Sequence, residues 1–567
     1  MNIYTIEQMQ ALERAADEAG HSYDAMMEAA GRGVARAVDS WLGEEAGEGT
    51  HVLVLVGPGN NGGDGLVAAR EWARRQYSVA AYVWKREESD PLVRAARRNR
   101  VTILQAEHDD GEKILRRALA RADVVIDALF GTGLSRPIEG KPAAVLDVLR
   151  EEREEKRRVE SLTWINRPER ELRTHRPVLI AVDVPSGLHG DSGEVDNATV
   201  AADLTITFAG PKLGMLTDKG AQVLGELVVA DIGIPEEVKS RVESQAQLLT
   251  PLLAASLLPE RPPSGHKGTF GTTLVIGGSV NYVGAPALSA LGAGRSGAGL
   301  VTLGVPTPVQ PMLAARPDLT TATWLLLPHD MGVLRATAIE VLEESLNKAD
   351  ALVLGPGLGG EVATHRFVWA LFGVESEESK QPTIGFVPRG QPLAAPSKKI
   401  KLPPTVVDAD GLNALAARED AWWDEIDTAL VLTPHPGEMG RLLDREVREV
   451  QADRLATVQE AATRFGQVVV LKGAYTVVAA PDGRASIAPY ANDALAKAGA
   501  GDVLGGMIGA LLGQGVEPYD AARVAVVAHG LAGERVRALK GSQGVIASDL
   551  LDVLPEVWRQ LASLRNP

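Results

Sequence analysis

The first half of the chain alternates short apolar runs with longer stretches in which apolar residues recur at helical spacing. The runs are rich in β-branched residues and contain few polar positions, which is typical of strands buried on both faces. Strands that alternate with helices predict a doubly wound parallel sheet, in which ligands gather at the carboxyl ends of the strands. The six runs are HVLVLVG (51–57), SVAAYVW (78–84), ADVVIDALFG (122–131), PVLIAVDVPSG (177–187), DLTITFAG (203–210) and GELVVADIGI (225–234).

Two helices are expected before the first of these strands. Thr5 and Gln8 in TIEQ have the spacing of a capping box, so a helix should begin directly after Thr5. A second helix is predicted to start at about Ser22 and to continue into the late thirties.

The second half repeats the pattern of apolar runs and ends in longer helical segments that start at GAGDVLGGMIGALLGQG (499–515). This order of elements predicts a second α/β domain. Its runs are TTLVIGGS (272–279), LVTLGVP (300–306), ATWLLLP (322–328), ALVLGPGLGG (351–360), TVVDADGLN (405–413), ALVLTPHPGE (429–438) and QVVVLKGAYTVVAA (467–480).

Three segments interrupt the alternation. Residues 234–265 show no strand pattern and end in a proline-rich stretch, so we place the boundary there, with domains 1–235 and 236–567. The highly charged residues 151–176 show no buried periodicity and are interpreted as a solvated insertion, with a lid as the alternative. Residues 371–401 also lack periodicity and predict an exposed insertion.

Composition narrows the possible partners. A chain of 567 residues exceeds what one hydrophobic core supports, which agrees with two domains. The formal net charge is −16 and no basic tract dominates a domain, so we expect no nucleic-acid partner. The absence of cysteine excludes disulfides, thiolate zinc sites and cysteine nucleophiles. Neither a signal-peptide pattern nor a membrane-length apolar span is present, so we expect a cytoplasmic protein without a membrane partner.

The loop GPGNNGGDG (57–65) lies between a predicted strand and a predicted helix. Its glycines let backbone N–H groups approach an anion, which indicates a phosphate site. The loop has neither the Gly-Lys-Ser/Thr ending of a Walker loop nor the spacing of a GxGxxG loop. The alternative is a tight turn whose glycines only allow the helix to pack on the strand.

A second candidate site is AKAGAGDVLGG (496–506), where small residues precede Asp502 at a helix start. Helix amides at such a start bind phosphoryl groups, and a carboxylate beside them can accept a proton from an attacking hydroxyl. The stretch resembles the GAGD motif of the ribokinase-like superfamily, which implies that Asp502 is the base and that the glycine amides form an anion hole. The alternative is an aspartate that only caps the helix. Ala500 stands where many members have threonine or serine, which removes a hydroxyl but keeps the amide.

Further motifs extend the resemblance to both halves. HKGTFG (266–271), GGSVNYVGAPALSALGAGRSGAGLV (277–301), GPGLGG (355–360), TPHPGEMGRL (433–442) and LKGAYTVV (471–478) resemble the ribokinase-like half of bifunctional NAD(P)HX repair enzymes over residues 266–551. NNGGDG (60–65), DALFGTGLSRP (127–137), VDVPSGLHGDSG (182–193) and GPKLGM (210–215) resemble the YjeF amino-terminal epimerase domain over residues 1–235. The resemblance implies a Rossmann-like first domain and a ribokinase-like second domain.

The resemblance implies three sets of residues in the first half. Potassium ligands are expected at Asn61, Asp127 and Ser186, whose amide, carboxylate and hydroxyl oxygens are hard donors that suit an alkali ion. Asp183 is expected to contact the substrate and to act as its acid or base, with a cap of the VDVPSG turn as the alternative. The residues expected along the substrate's phosphates and ribose are Asn60, Asn61, Gly62, Gly63, Asp64, Gly131, Thr132, Gly133, Leu134, Ser135, Arg136 and Pro137.

In the second half the resemblance implies a substrate site and a nucleotide site. Substrate contacts are expected at Ala285, Gly357, His435 and Asp502, and ADP contacts at Lys472, Gly473, Ala474, Tyr475, Thr476 and Gly501. For His435 the alternative is a residue that only packs a loop, and for Lys472 it is a solvated side chain.

The activity implied is the repair of hydrated NADH and NADPH, called NADHX and NADPHX. The first domain would interconvert the R and S epimers with K⁺, and the second would use ADP and Mg²⁺ to dehydrate the S epimer, releasing AMP and phosphate. A vitamin or sugar kinase of the same superfamily and an inactive nucleotide-binding scaffold are the alternatives. We expect a homo-oligomer, while the sequence leaves open whether NADHX or NADPHX is preferred.

Overall fold

A computed structural model describes residues 1–43, 47–134, 136–159, 177–244, 246–374, 400–418 and 420–565. The chain divides into two compact units, Met1–Ala246 and Gln247–Pro567. No helix in these described ranges is long and apolar enough to cross a membrane.

The first unit contains a seven-stranded parallel sheet flanked by helices. A short strand of the unit, β1 Asn2–Ile3, lies outside this sheet, which consists of β2 His51–Val56, β3 Ser78–Val83, β4 Thr102–Gln105, β5 Val124–Ala128, β6 Val178–Val182, β7 Leu204–Phe208 and β8 Glu226–Ala230. Its helices are α1 Ile6–Glu18, α2 Tyr23–Leu42, α3 Asn60–Arg74, α4 Pro91–Arg98, α5 Lys113–Leu119, α6 Lys141–Val159, α7 Asp218–Leu224 and α8 Glu236–Lys239. The strand order is β4-β3-β2-β5-β6-β7-β8. Strands after β2 are added first on one side of it and then, from β5 onward, on the other side, so the loops after β2 and β5 flank a crevice.

Both faces of this sheet are buried, as the apolar runs predict. Along β2, Val52 and Val54 enter one core cluster, whereas Leu53 and Leu55 enter a second cluster on the opposite face. The six predicted strands are all present, and the structure adds β4, whose sequence TILQ is too short and too polar for the pattern.

Both amino-terminal helices are confirmed. Thr5 Oγ1 accepts a hydrogen bond from the Gln8 amide at 3.2 Å, and Gln8 Oε1 accepts one from the Thr5 amide at 2.9 Å, which completes the capping box of α1. Ser22 caps α2, which extends to Leu42.

The charged segment 151–176 differs from the prediction at its start. Residues 151–159 continue helix α6, and Arg153 is buried because its guanidinium pairs with the Asp203 carboxylate at 3.0 Å. The ion pair lets this one arginine be buried, since a buried arginine is tolerated when paired, whereas Glu151 and Glu154 are exposed. Residues 160–176 lie outside the described residues, and so does the alternative of a lid there.

The second unit contains a mixed sheet in which β9 to β12 and β15 to β20 take part. The strands are β9 Ala246–Leu248, β10 Thr272–Ile276, β11 Leu300–Pro306, β12 Thr323–Leu327, β13 His329–Asp330, β14 Val333–Leu334, β15 Ala351–Leu354, β16 Thr405–Val407, β17 Leu430–Leu432, β18 Val468–Leu471, β19 Val477–Ala479 and β20 Ala485–Ile487. Their order is β9-β20-β19-β18-β17-β16-β15-β10-β11-β12, and β19 runs antiparallel to both neighbours, while β13 and β14 form a separate pair.

Helices cover this sheet, and long ones close the chain as predicted. They are α9 Pro251–Ser256, α10 Gly284–Arg295, α11 Val309–Ala314, α12 Ile339–Leu346, α13 Val362–Phe372, α14 Asp410–Ala416, α15 Pro436–Leu443, α16 Val447–Ala452, α17 Arg454–Phe465, α18 Ala500–Gly513, α19 Pro518–Lys540 and α20 Ala547–Arg565. The predicted class, two α/β domains, is confirmed.

Two sequence predictions for this unit were wrong. Residues 234–265 do contain a strand, β9, which pairs in parallel with β20 and is too short to show a period. Residues 371–401 do not begin exposed, because Leu371 and Phe372 end helix α13 in the core and Val374 is buried beyond it. Residues 375–399 lie outside the described residues.

Candidate active sites

The glycine-rich loop after β2 joins the strand to the first turn of α3, which begins at Asn60. Packing explains part of its glycine content: a Cβ at Gly57 would overlap the Leu129 carbonyl oxygen, and one at Gly62 would overlap the Gly57 carbonyl oxygen. The alternative of a tightly packed turn therefore accounts for these two glycines. It leaves the free N–H groups of the first helical turn available to an anion.

Three oxygen-bearing side chains meet where this turn faces the end of β5. Asp127 Oδ1 accepts a hydrogen bond from Ser186 Oγ at 2.6 Å, and Oδ2 accepts one from the Ser186 amide at 2.8 Å. Asn61 Nδ2 donates to the Phe130 carbonyl oxygen at 2.9 Å, which Ser186 Oγ also approaches at 3.4 Å. Burial raises the pKa of Asp127, and the hydrogen bonds from Ser186 oppose that rise.

Asn61 supplies the observation that tests a cation at this place. Its Oδ1 is buried and has no hydrogen-bond partner among the described residues, although an unpaired buried oxygen is costly. An alkali ion would satisfy this oxygen together with Asp127 and Ser186. The donor set therefore fits potassium.

The other expected substrate residues surround this cluster. A Cβ at Gly131 would lie 3.3 Å from the Asn61 side chain, so the loop after β5 passes directly beside α3. Asp64 is buried in the first turns of α3, whereas Asn60 is exposed. Thr132 and Leu134 are half-buried, and Gly133, Arg136 and Pro137 are exposed. Ser135 lies outside the described residues.

Asp183 follows β6 in a left-handed backbone conformation, with φ at 63°. Its Oδ1 accepts hydrogen bonds from Lys212 Nζ at 2.6 Å and from Thr207 Oγ1 at 3.1 Å. A strained backbone at a strand end is common at functional sites. The side chain is thus held by an ion pair, which is more than the alternative of a turn cap requires.

Two further carboxyl groups, one from α3 and one from α1, interact with Asp183. Burial raises the pKa of Asp64 well above its usual value, and the charges of Asp183 and Glu13 add to the rise. The pKa of Glu13 on α1 is also raised, first by burial and then by Asp183. Both carboxyl groups therefore hold a proton to higher pH than a free side chain does.

In the second unit Asp502 lies in the first turn of α18, behind the cap residue Gly499. Because Gly499 occupies the cap position with φ at 92°, the alternative that Asp502 is only the helix cap does not describe the structure. Burial raises the pKa of Asp502 to about 7, the charge of Asp408 adds to the rise, and Lys472 opposes it. A carboxyl with this pKa exchanges protons near neutral pH.

Lys472 lies beside Asp502 and is not solvated. Its Nζ donates to Asp408 Oδ1 at 2.5 Å and is 3.7 Å from Glu438 Oε2. Burial works to lower the pKa of the Lys472 ammonium, but Asp408 and Glu438 outweigh burial and raise it. A Cβ at Gly501 would lie 3.3 Å from Lys472 Nζ, so the expected nucleotide residues Gly501 and Lys472 are neighbours.

His435 caps helix α15 through its side chain. Nδ1 accepts hydrogen bonds from the amides of Gly437 at 2.9 Å and Glu438 at 3.3 Å, and Glu438 Oε2 accepts one from the His435 amide at 2.8 Å. Burial lowers the pKa of His435, so the ring is neutral at pH 7 with its proton on Nε2. The hydrogen bonds of Nδ1 agree with the alternative that His435 only packs its loop. Half of the His435 side chain nevertheless stays exposed.

The remaining expected contacts lie at the start of helix α10 and on the loops after β15 and β18. A Cβ at Gly357 would lie 2.8 Å from the Tyr282 Cβ and 3.1 Å from the Ala285 Cβ, which makes Gly357 and Ala285 neighbours. In the run after β18, Thr476 Oγ1 donates to the Gly473 carbonyl oxygen at 2.9 Å. The Tyr475 backbone has a φ of 50°, and Ala474 beside it is half-buried.

Comparison with known proteins covers both units. The family described as NAD(P)H-hydrate dehydratase matches residues 273–556, and the family described as YjeF-related protein N-terminus matches residues 23–214. The bifunctional NAD(P)H-hydrate repair enzyme of Moorella thermoacetica is 39% identical over 546 residues, which are 94% of this chain and 92% of that protein. This chain belongs to the bifunctional NAD(P)H-hydrate repair enzyme family.

Two further similarities are found. The bifunctional NAD(P)H-hydrate repair enzyme of Escherichia coli K12 is 34% identical over 511 residues, which are 89% of this chain and 85% of that protein. A solved structure of the ADP/ATP-dependent NAD(P)H-hydrate dehydratase from Bacillus subtilis, co-crystallised with ATP and Mg²⁺, is 30% identical, with a TM-score of 0.44. It covers 56% of this chain and 99% of that one.

The sequence did not predict several residues that lie at the candidate sites of this repair enzyme. Lys212 lies in the quoted motif GPKLGM, and Glu438 lies in TPHPGEMGRL. Asp408 directly follows β16, and its position at the carboxyl end of a strand is the signal that could have identified it as a site residue. His529 gave no signal: burial lowers its pKa to about 4, so the neutral ring donates from Nε2 to the Ala500 carbonyl oxygen at 3.0 Å.

The acidic groups of the repair enzyme do not form a protein-only metal cage. Within the described ranges, no group of three or more His, Cys, Asp or Glu side chains is arranged to hold a metal ion. This arrangement is compatible with Mg²⁺, which usually keeps water ligands and is held by one or two carboxylates together with substrate phosphates.

Proposed function

We propose that residues 1–235 of this repair enzyme interconvert R- and S-NAD(P)HX, and that residues 236–567 dehydrate the S epimer at the expense of ADP, releasing NAD(P)H, AMP and phosphate. One observation carries the proposal beyond family membership. Asp502, with a pKa of about 7, stands at a helix amino terminus beside the Lys472 ammonium, which is the arrangement that phosphoryl transfer to a hydroxyl requires.

The dehydration then proceeds in two balanced steps. Asp502 accepts the proton of the substrate hydroxyl while the hydroxyl oxygen attacks the β-phosphorus of ADP, and AMP leaves. The amides at the start of α18 and the Lys472 ammonium stabilise charge on the transferred group. The ring nitrogen then expels phosphate, and loss of a ring proton restores the double bond of NAD(P)H. Phosphate leaves far more readily than hydroxide, which explains why a nucleotide is consumed.

Mg²⁺ would supply charge neutralisation on the nucleotide phosphates. The carboxylates around Lys472 are Asp408, Glu438 and Asp502, and one or two of them would hold the ion together with the nucleotide phosphates.

The nucleotide preference gives a direct test. Both domains lie in one chain, an arrangement that the resemblance links to ADP, so purified protein with S-NADHX, Mg²⁺ and ADP should form NADH and AMP in step. The absorbance of the reduced nicotinamide follows the reaction, and we expect ADP to support at least tenfold faster turnover than ATP at equal low concentration. Turnover with ATP and none with ADP would contradict this choice. A stable phosphorylated product without NADH would favour a sugar or vitamin kinase.

In the epimerase half, the hydroxyl-bearing carbon adjoins the ring nitrogen. The nitrogen can therefore expel the hydroxyl as water when an acid protonates it, and water can return to the other face while a base removes a proton. Asp64, whose pKa is raised, is the candidate acid, and Asp183, which pairs with Lys212, is the candidate base. Conversion of one epimer into the other changes no proton count overall. An inactive scaffold is disfavoured because Asn61, Asp127 and Asp183 are all in place.

Asp127→Ala tests the potassium assignment. Removing the carboxylate leaves Asn61 Oδ1 and Ser186 Oγ without the charged ligand, so we expect epimerisation to slow at least tenfold and to lose its dependence on K⁺. Dehydration of pure S epimer should stay within twofold of wild type. The exposed Asp147→Ala on α6 is the matched control and should retain both activities. An equal collapse of S-epimer turnover in Asp127→Ala would show that the halves depend on each other and that the assignment is wrong.

The expected homo-oligomer stays a prediction, which light scattering on the full chain would test.

A further inference from the structure

Lys212, in the motif GPKLGM, is almost completely buried, with 1% of its side chain exposed. Its Nζ donates to Asp183 Oδ1 at 2.6 Å, to Thr207 Oγ1 at 2.8 Å and to the Phe208 carbonyl oxygen at 3.4 Å. An ammonium has three N–H donors, and each has an acceptor here. Lys212 therefore has no N–H left for a ligand.

Asp183 is held on one side only. Lys212 and Thr207 both bind Oδ1, while no hydrogen bond from the described residues reaches Oδ2, and 13% of the side chain remains exposed. The left-handed backbone at Asp183 brings its amide to the Ile206 carbonyl oxygen at 2.8 Å, which fixes the residue against β7. One oxygen is thus fixed by the protein and the other is accessible.

We infer that Lys212 is a positioning residue of the epimerase site: it holds Asp183 as a carboxylate through Oδ1 and leaves Oδ2 as the oxygen that exchanges a proton with the substrate. The inference rests on the proposed epimerase function. When water adds to the ring, its O–H bond breaks, its oxygen bonds to carbon and its proton passes to Oδ2. In the opposite direction Oδ2 returns the proton to the departing hydroxyl.

The surrounding charges make the ammonium necessary. Asp183 interacts with Glu13 from α1 and Asp64 from α3, which are both acidic. The other cations that act on these two acids are Arg14 and Arg86. Without Lys212, no cation among the described residues would be bonded to the Asp183 carboxylate, while the carboxyl groups of Glu13 and Asp64 would remain beside it.

Lys212→Met and Lys212→Arg in the full-length chain test the inference. The rate of R-to-S conversion is measured by chromatography of the two epimers from pH 5 to pH 9, with the spontaneous rate subtracted. For Lys212→Met we expect kcat to fall between tenfold and a hundredfold, the scale for loss of an orienting partner, with KM changed less than threefold. The acid limb of its pH profile should move upward by about one pH unit or more.

Two companion variants separate charge from shape. Lys212→Arg keeps the charge and should leave the acid limb within half a unit of wild type. Thr207→Val removes a hydrogen bond without removing charge, and its acid limb should stay in place. An unmoved acid limb in Lys212→Met would overturn the inference.

The double variant Lys212→Met with Asp183→Asn keeps the test decisive if the single variant folds poorly, because it removes both buried charges together. If Lys212 acts only through Asp183, the double variant should be as slow as Asp183→Asn alone. A double variant ten times slower than Asp183→Asn would show an independent role and overturn the inference. Absence of epimerisation in the wild-type chain would instead refute the proposed function, while a circular dichroism spectrum unchanged from wild type reports that each variant is folded.

Discussion

Replacing Asp502 with asparagine is expected to lower dehydratase turnover about a hundredfold or more, the scale for a positioned general base. Asparagine keeps the shape of the side chain and leaves the Gly499 cap of α18 unchanged, but it cannot accept the hydroxyl proton. In the proposed mechanism ADP is bound by Lys472 and the helix amides, so its affinity should change less than threefold. Epimerisation in the same chain should be unaffected and serves as the control.

The pH dependence of the dehydratase provides a second test of Asp502 as the base. Only ionised Asp502 can accept a proton, and its pKa is raised to about 7 by burial and by Asp408. The wild-type kcat/KM for S-NADHX should therefore be full above pH 7 and fall about tenfold per pH unit below it. The asparagine variant should lack this limb. Single-turnover rates at saturating ADP decide the matter, since a variant within a few fold of wild type would exclude Asp502 as the base.

Replacing Gly506 with alanine is expected to lower the free energy of unfolding of the second unit by about 3 kcal/mol, near the upper end of the usual cost of overpacking. A Cβ at Gly506 of α18 would overlap the Ser289 carbonyl oxygen of α10 and lie 3.0 Å from the Ala293 amide nitrogen. The clash is with backbone, so the two helices would have to separate. Ser289 Oγ also donates to the Asp502 carbonyl oxygen at 2.9 Å, so dehydratase turnover should fall as well.

Gly294→Ala on α10 is the matched control. A Cβ there meets no heavy atom within 4 Å, and alanine is favoured over glycine inside a helix by up to about 1 kcal/mol. The urea midpoint for loss of dehydratase activity should therefore fall in Gly506→Ala and stay equal or rise in Gly294→Ala. The midpoint for epimerase activity should not change in either variant. A wild-type dehydratase midpoint in Gly506→Ala would show that α10 and α18 do not pack this closely.

The sequence predicted the strands well because each is a run of apolar residues long enough to show its burial. It also predicted where the sites lie, since the carboxyl ends of parallel strands and the starts of the following helices are fixed by topology. The failures share one cause. β4 and β9 are short strands, which only pairing with a neighbour defines, and Arg153 and Leu371 lie in segments whose composition conceals buried side chains.

Local order along the chain thus determined two α/β units, their turns and the positions of Asp183 and Asp502. Only the tertiary structure decided which charges meet. Lys212 pairs with Asp183 across 29 residues, and Lys472 pairs with Asp408 across 64. The energy of such a pair depends on distance and on burial, which no local pattern encodes. Carboxyl groups that look alike in the sequence therefore become an ion-paired group, a buried acid with a raised pKa or a base near neutral pH according to their neighbours in space.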